Sequence, residues 1–168
     1  MEWIFCPIDG SMRREEFDCG NLELNDYLKK YAKQNDEKGI AKTFVAVPQF
    51  GLKTVLGYYS TSMAEIKRES LPKSYTKKLP RYPLPAMRIG KLAVDKSMQG
   101  RGLGRELLMQ CFRSAVKFSS EIGLFSITVD AIDEQAKAFY LKYNFIPFDD
   151  NELSLFIPMK TVLAAVEQ

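Results

Sequence analysis

The chain contains no histidine. That absence removes Ser-His-Asp and Cys-His arrangements, histidine-ligated metals and the commonest general base together, so its chemistry must run without imidazole. Cysteine is scarce. Cys6, Cys19 and Cys111 are odd in number and widely spaced, with no Cys-x-x-Cys pair, which argues against a disulfide framework and a zinc site. Structural or idle thiols, and no metal, are expected. The N-terminus lacks a long apolar run behind basic residues, and no later segment reaches bilayer-spanning length. Neither export nor membrane insertion is indicated, and a cytoplasmic protein is expected.

With 46% apolar and 12% aromatic residues over 168 positions, the chain can bury a sizeable core. A single domain over residues 1–168 is expected. Leu24, Tyr27, Leu28 and Tyr31 fall at helical spacing behind a capping Asn21, predicting a helix to about Gln34. Thr43 to Val47 and Thr54 to Ser62 are β-rich runs split by Pro48-Gln49-Phe50-Gly51, which predicts a hairpin. Met87 to Val94 reads as the next strand, and Leu124 to Ile132 as one buried on both faces. Asp133 suits an N-cap for a helix with Ala136, Phe139, Tyr140 and Tyr143 on one stripe. Phe145 to Phe148 and Leu153 to Met159 read as short terminal strands, followed by a small apolar tail from Thr161.

Between two of these elements lies Gln99-Gly100-Arg101-Gly102-Leu103-Gly104, followed from Arg105 by an amphipathic helix that buries Leu107, Leu108, Cys111, Phe112, Ala115 and Val116 and stops at Gly123. A strand, a glycine-rich turn and a helix start direct backbone N–H groups at an anion, and residues without a Cβ let main chain approach it closely. This is a phosphate cradle. A Walker A loop is excluded, because no Gly-Lys-Ser/Thr follows, and the dinucleotide pattern Gly-x-Gly-x-x-Gly does not fit. The plainer alternative is a turn that merely starts a helix.

Residues 63 to 86 differ in composition. Four of the eight prolines lie here, with Lys67, Arg68, Lys73, Lys77, Lys78 and Arg81 against only Glu65 and Glu69, a local charge of +4 in a chain whose total is +3. Such an excursion suits phosphate-rich RNA, with Lys73, Lys77, Lys78 and Arg81 as candidate contacts; a solvated loop that keeps the protein soluble is the alternative.

The hexapeptide from Gln99 resembles the acyl-CoA pyrophosphate loop of GNAT acetyltransferases, Gln/Arg-x-x-Gly-x-Gly/Ala. The element order, and D-E-Q-A-K-A-F-Y-L-K-Y-N-F near the C-terminus, extend the resemblance from about Phe17 to Met159. Asp133 stands where that family has asparagine, and Asn144 where it has glycine. The resemblance implies an α/β (α+β) chain with the GNAT fold: a mixed, mostly antiparallel central sheet, the family's fourth and fifth strands splayed apart, and helices on both faces. It also implies an acetyl-CoA site at Leu92, Ala93, Val94, Gln99, Gly100, Arg101, Gly102, Leu103, Gly104, Arg105 and Asp133, with Tyr140 as the catalytic acid. F-D-C-G-N-x-x-L-N-x-Y-L, V-L-G-Y-Y-S, L-P-R-Y-P-L-P-A, G-K-L-A-V-D and V-D-A-I-D-E-Q-A-x-A-F-Y are together similar to the GNAT toxins of bacterial toxin-antitoxin pairs. That resemblance implies acetylation of the α-amine of aminoacyl-tRNA, a block on translation, a ribbon-helix-helix antitoxin and a homodimer.

The residues bear on the acceptor independently. A lysine amine, with a pKa of about 10.4 against about 8 for an α-amine, is almost wholly protonated at neutral pH and benefits from a strong base. The strand Met87 to Val94 carries no carboxylate. A partly neutral α-amine is the favoured nucleophile, attacking the thioester directly, with strand N–H groups near Leu92 to Val94 stabilising the oxyanion. A phenol such as Tyr140, with an ordinary pKa of about 10, matches the departing thiol. A covalent route through Cys19 or Cys111 is weaker, because neither thiol has a histidine to activate it. A protein or small-amine acetyltransferase, and a silent acyl-CoA-binding module, are the alternative functions.

Overall fold

The computed structural model describes residues 2–167. The elements run, in chain order, β1 Trp3–Pro7, α1 Leu22–Asp26, a π-helical turn Tyr27–Tyr31, α2 Ala32–Glu37, β2 Lys42–Pro48, β3 Gly57–Ile66, β4 Leu84–Val94, α3 Leu103–Ser119, β5 Ser126–Asp130, α4 Glu134–Lys142, β6 Ile146–Pro147, β7 Ser154–Pro158 and α5 Met159–Val166. The strand order is β1-β2-β3-β4-β5-β7-β6. The β1–β2, β2–β3, β5–β7 and β6–β7 pairs are antiparallel; β4–β5 is parallel. The parallel ladder pairs Ala86–Ile89 with Ser126–Val129.

The chain forms two compact units, Met1–Ser62 with Gly90–Cys111, and Met63–Ile89 with Phe112–Gln168. In the first, β3 alternates between two helical layers. Tyr58 is fully buried and its hydroxyl donates to Leu24 O at 2.7 Å, while its ring meets Phe17 edge-on at 5.6 Å. Burial drives the Tyr58 pKa far above its ordinary value, so the phenol stays a donor. Gly57, one residue earlier, faces α3: a Cβ there would lie 3.0 Å from Leu107 Cδ1, 3.1 Å from Ala93 O and 3.2 Å from Leu103 Cδ2. A methyl group there would require these neighbours to give by a few tenths of an ångström.

The predicted first helix is interrupted. Asn21 caps it as expected, accepting from Leu24 N at 3.0 Å, but Ala32 N bonds to Tyr27 O, five residues back. This π turn inserts one residue into the helical repeat, so Ala32 takes the buried position and the predicted core residue Tyr31 turns out. Strand β1, which pairs with β2, was not predicted; its five residues, Trp3-Ile4-Phe5-Cys6-Pro7, carry too little alternation to read.

In the second unit, Ile66, Leu71, Leu84, Ala86, Phe148 and Phe156 form one cluster, joined by Tyr75 and Leu79. Phe145 lies against Tyr140 and Phe112 at 5.1 and 6.1 Å between centroids. Asn144, at the position where the family has glycine, closes α4 at φ 72°, a left-handed conformation that asparagine tolerates. The apolar tail from Thr161 belongs to α5, which anchors through Met159 and Val162.

Gly57→Ala is expected to destabilise the protein by about 1–3 kcal/mol, because two methyls and a main-chain oxygen must all yield. Urea unfolding of both proteins measures it.

Candidate functional site

The glycine loop is built from the end of β4 outward. Asp95 caps a 3₁₀ turn at Lys96–Met98, accepting from Ser97 N at 3.0 Å and Ser97 Oγ at 2.6 Å. Its other oxygen accepts from Asp18 N at 2.9 Å. Met98 is buried beneath the turn. Gln99 then turns its amide inward, where Nε2 donates to both Cys19 O and Val94 O at 3.0 Å. Its side chain ties the start of the loop to both carbonyls.

Gly100 and Gly102 have φ of 78° and 86°, left-handed values that residues with a Cβ rarely adopt. Nothing lies within 4 Å of the Cβ position at either. The backbone there is thus both glycine-dependent and open to an approaching group, which fits a pyrophosphate. Glu106 N to Gly102 O, at 3.1 Å, opens the helical ladder. Helix α3 starts at Leu103, two residues before the predicted Arg105, with Leu103 buried and Gly104 in the first turn. The first N–H groups of a helix have no carbonyl behind them, and they form the positive end of its dipole. Arg101 and Arg105 are exposed beside them, Arg105 with Glu106 at 3.0 Å. Ala93 is buried, with Leu92 and Val94 half-buried on either side.

In the second unit, Asp133 Oδ1 accepts from Ala136 N at 2.7 Å and starts α4. Tyr140 is buried on that helix, flanked edge-on by Phe139 at 5.2 Å and Phe145 at 5.1 Å. Helical spacing had suggested one stripe, and the rings of Phe139 and Phe145 supply the apolar wall. Beyond the predicted residues, Arg88 pairs with Asp130 at 3.0 Å, and Ser154 Oγ donates to the same carboxylate at 2.6 Å. They line a cavity of about 460 Å³ with Lys67, Ser70 and Asp150. Only the register Arg88↔Thr128 and Asp130↔Ser154 brings these groups together, and a linear sequence does not display it.

The basic segment is shorter and more ordered than its composition suggested. Met63–Ile66 belongs to β3, and Leu84–Ala86 to β4. Between them, two 3₁₀ turns, Arg68–Ser70 and Lys73–Tyr75, are held by Arg68 Nη2 to Thr76 O at 2.7 Å, Ser70 Oγ to Asp150 at 2.7 Å and Tyr75 edge-on to Phe156. Lys73, Lys77, Lys78 and Arg81 are exposed. Among the described residues none of the four has an ion-pair partner.

The thiols do not offer a nucleophile. Burial pushes Cys111 up to about 12, and raises Cys19 as well, so both are protonated near neutrality. All three cysteines are free.

An acyltransferase that draws on a coenzyme A thioester is the class this fold and loop define. The chain belongs to the GNAT acetyltransferases: residues 54–147 match the acetyltransferase (GNAT) domain family. It is similar to the tRNA-acetylating toxin of Mycobacterium tuberculosis, at 32% identity over 150 residues, 89% of this chain and 88% of that protein. Among solved structures, a tyrosine-to-phenylalanine mutant of KacT is 33% identical with a TM-score of 0.94, covering 98% of this chain and 99% of that one. AtaT complexed with acetyl-methionyl-tRNAfMet is 29% identical with a TM-score of 0.91 over 98% and 99% of the two chains. A mutant AtaT bound to the C-terminus of the antitoxin AtaR and acetyl-CoA is 25% identical, with a TM-score of 0.86 over 99% of each chain. Among the described residues, no helix is long and apolar enough to cross a membrane.

Gly102→Glu is expected to abolish acetyl-CoA binding, since it forces a side chain into a left-handed position and a negative charge into the anion site. Gln99→Ala removes two hydrogen bonds worth about 1 kcal/mol each, and should only weaken it. Calorimetric titration with acetyl-CoA distinguishes them; unchanged affinity in a folded Gly102→Glu protein would remove the phosphate cradle.

Proposed function

We propose that this enzyme transfers acetyl from acetyl-CoA to the α-amine of aminoacyl-tRNA, and so blocks translation as the toxin of a toxin-antitoxin pair. Main-chain N–H groups from Gly100 to Gly104, with Gln99 bracing them and Arg101, Leu103 and Arg105 alongside, hold the pyrophosphate. Asp133 contributes to the pantetheine site. The neutral amine attacks the thioester carbonyl, and N–H groups of Leu92, Ala93 and Val94 stabilise the oxyanion. As the tetrahedral intermediate collapses, the C–S bond breaks, Tyr140 gives its phenolic proton to the thiolate, and the amine loses its own proton to water. The phenolate recovers a proton from solvent.

The observation that carries the acceptor reading is the row of exposed cations, Lys73, Lys77, Lys78 and Arg81, held outward on an ordered segment without carboxylate partners. Cations left unneutralised by the protein are available to phosphates, and binding then releases the counterions of the polyanion. The similarity to a tRNA-acetylating toxin supports the same acceptor. The complex of AtaT with AtaR supports an antitoxin partner, for which we propose the ribbon-helix-helix class. A cytoplasmic homodimer, with residues 1–168 as one catalytic domain, completes the reading.

Incubation with radiolabelled acetyl-CoA and charged tRNA, uncharged tRNA, free amino acids or polyamines tests the acceptor; label is expected on charged tRNA, and label on free amines alone would overturn the assignment. Tyr140→Phe keeps the ring packing but should lower turnover by about 100- to 10,000-fold with acetyl-CoA affinity little changed. Replacing Lys73, Lys77, Lys78 and Arg81 with Ala should weaken charged-tRNA acetylation and flatten its log–log salt dependence by up to about 0.7–0.9 per cation. Acetyl-CoA binding should be unaffected by those four changes.

A further inference from the structure

The π turn does more than interrupt a helix. By moving Tyr31 out of the buried stripe it leaves that ring 50% exposed, next to Leu22 at 73%. These two residues, with Glu23, Asp26, Tyr27 and Lys91, line an open groove of about 590 Å³. Its floor is apolar. The Lys91 ammonium sits over the Tyr27 ring, 5.3 Å from the centroid, so the lysine stem covers part of that wall.

The groove rim is electrically balanced. Glu23 lies 3.8 Å from Lys91, and Asp26 lies 3.7 Å from Lys30. With a lysine beside each carboxylate, the rim offers no strong attraction to an anion or to a cation. This surface differs in kind from the row of unpaired cations at Lys73 to Arg81. What it fits is a neutral, apolar group.

The position of the groove limits which group that is. Lys91 immediately precedes Leu92, Ala93 and Val94 in β4, the strand segment to which the thioester carbonyl has been assigned. Two apolar parts of a charged tRNA come near its reacting amine: the side chain of the amino acid and the base of the terminal adenosine. The side chain stems from the carbon that bears the amine. The base is separated from it by the ester and the ribose.

We propose that this groove receives the side chain of the acceptor amino acid, so that the enzyme discriminates in favour of apolar aminoacyl groups. This inference rests on the aminoacyl-tRNA reading and adds specificity to it. Leu22 and Tyr31 form the discriminating surface, and the balanced, apolar groove gives an acidic side chain no compensation for leaving water. Since each methylene accepted by an apolar pocket changes discrimination by about tenfold or more, a leucine or phenylalanine should be well separated from glycine.

The test uses one tRNA charged in turn with leucine, phenylalanine, methionine, glycine or aspartate, so that everything except the side chain is constant. The wild-type enzyme should show kcat/KM at least about tenfold higher for the apolar three than for glycine or aspartate. Tyr31→Ala and, separately, Leu22→Ala should reduce that preference while leaving the glycine rate and acetyl-CoA affinity unchanged; both side chains are exposed, so neither change opens the core. An even wild-type profile overturns the proposal. So does an equal loss with every amino acid in the two variants, which would give the groove to the terminal adenosine common to all. If no charged tRNA is acetylated, whichever amino acid it carries, the aminoacyl-tRNA reading itself falls, and this proposal with it.

Discussion

The close approach at Gly57 braces the helix start behind the loop proposed to hold an anion. Leu103 and Leu107, from the first turns of α3, rest against a β3 position that has no side chain, and Ala93 O from β4 completes the same contact. Leu103 directly follows the left-handed Gly102, so whatever seats Leu103 also aims the loop. A methyl group at residue 57 would push at the helix start and at the strand carrying the proposed oxyanion donors together. Packing complementarity is steep at such distances, which is why an interior glycine can govern a site it never touches.

Gln99 fixes the loop from its other end. Its amide joins the carbonyls of Cys19 and Val94, tying the segment before α1 to the end of β4. Asp95 and Lys96 reinforce the same junction through Asp18, at 2.9 and 3.3 Å. Hydrogen bonds from Gly20 N and the Asn25 amide, followed by Lys96, lower the Asp18 carboxyl below its ordinary range. The N-terminal motif F-D-C-G-N is accordingly a bracket for the glycine loop, and only the three-dimensional structure reveals that purpose.

Much of the arrangement was legible in the residues. Glycine at alternate positions marked the loop, Asn21 and Asp133 marked two helix starts, and Asn144 marked a left-handed stop, because each reports a local backbone requirement that composition cannot disguise. What escaped depends on partners distant in sequence. The π turn that exposes Tyr31 keeps an apolar spacing indistinguishable from an ordinary helix. The Arg88–Asp130–Ser154 cluster exists only through strand register. Strand β1 is recognised by its pairing with β2, not by its own pattern. The basic segment read as an irregular excursion because proline and lysine dominate it, whereas Leu71, Tyr75 and Leu79 point inward and give it a shape.

That shape has a kinetic meaning. A segment that must fold as its partner arrives loses conformational entropy at the moment of binding, and its association rate carries that penalty. With its two turns already formed and its apolar residues already packed, the stretch from Arg68 to Arg81 carries its charges on a backbone that is already shaped. Encounter with a polyanion is then governed by long-range attraction, fast at low ionic strength and slower as salt rises, with no ordering step to wait for.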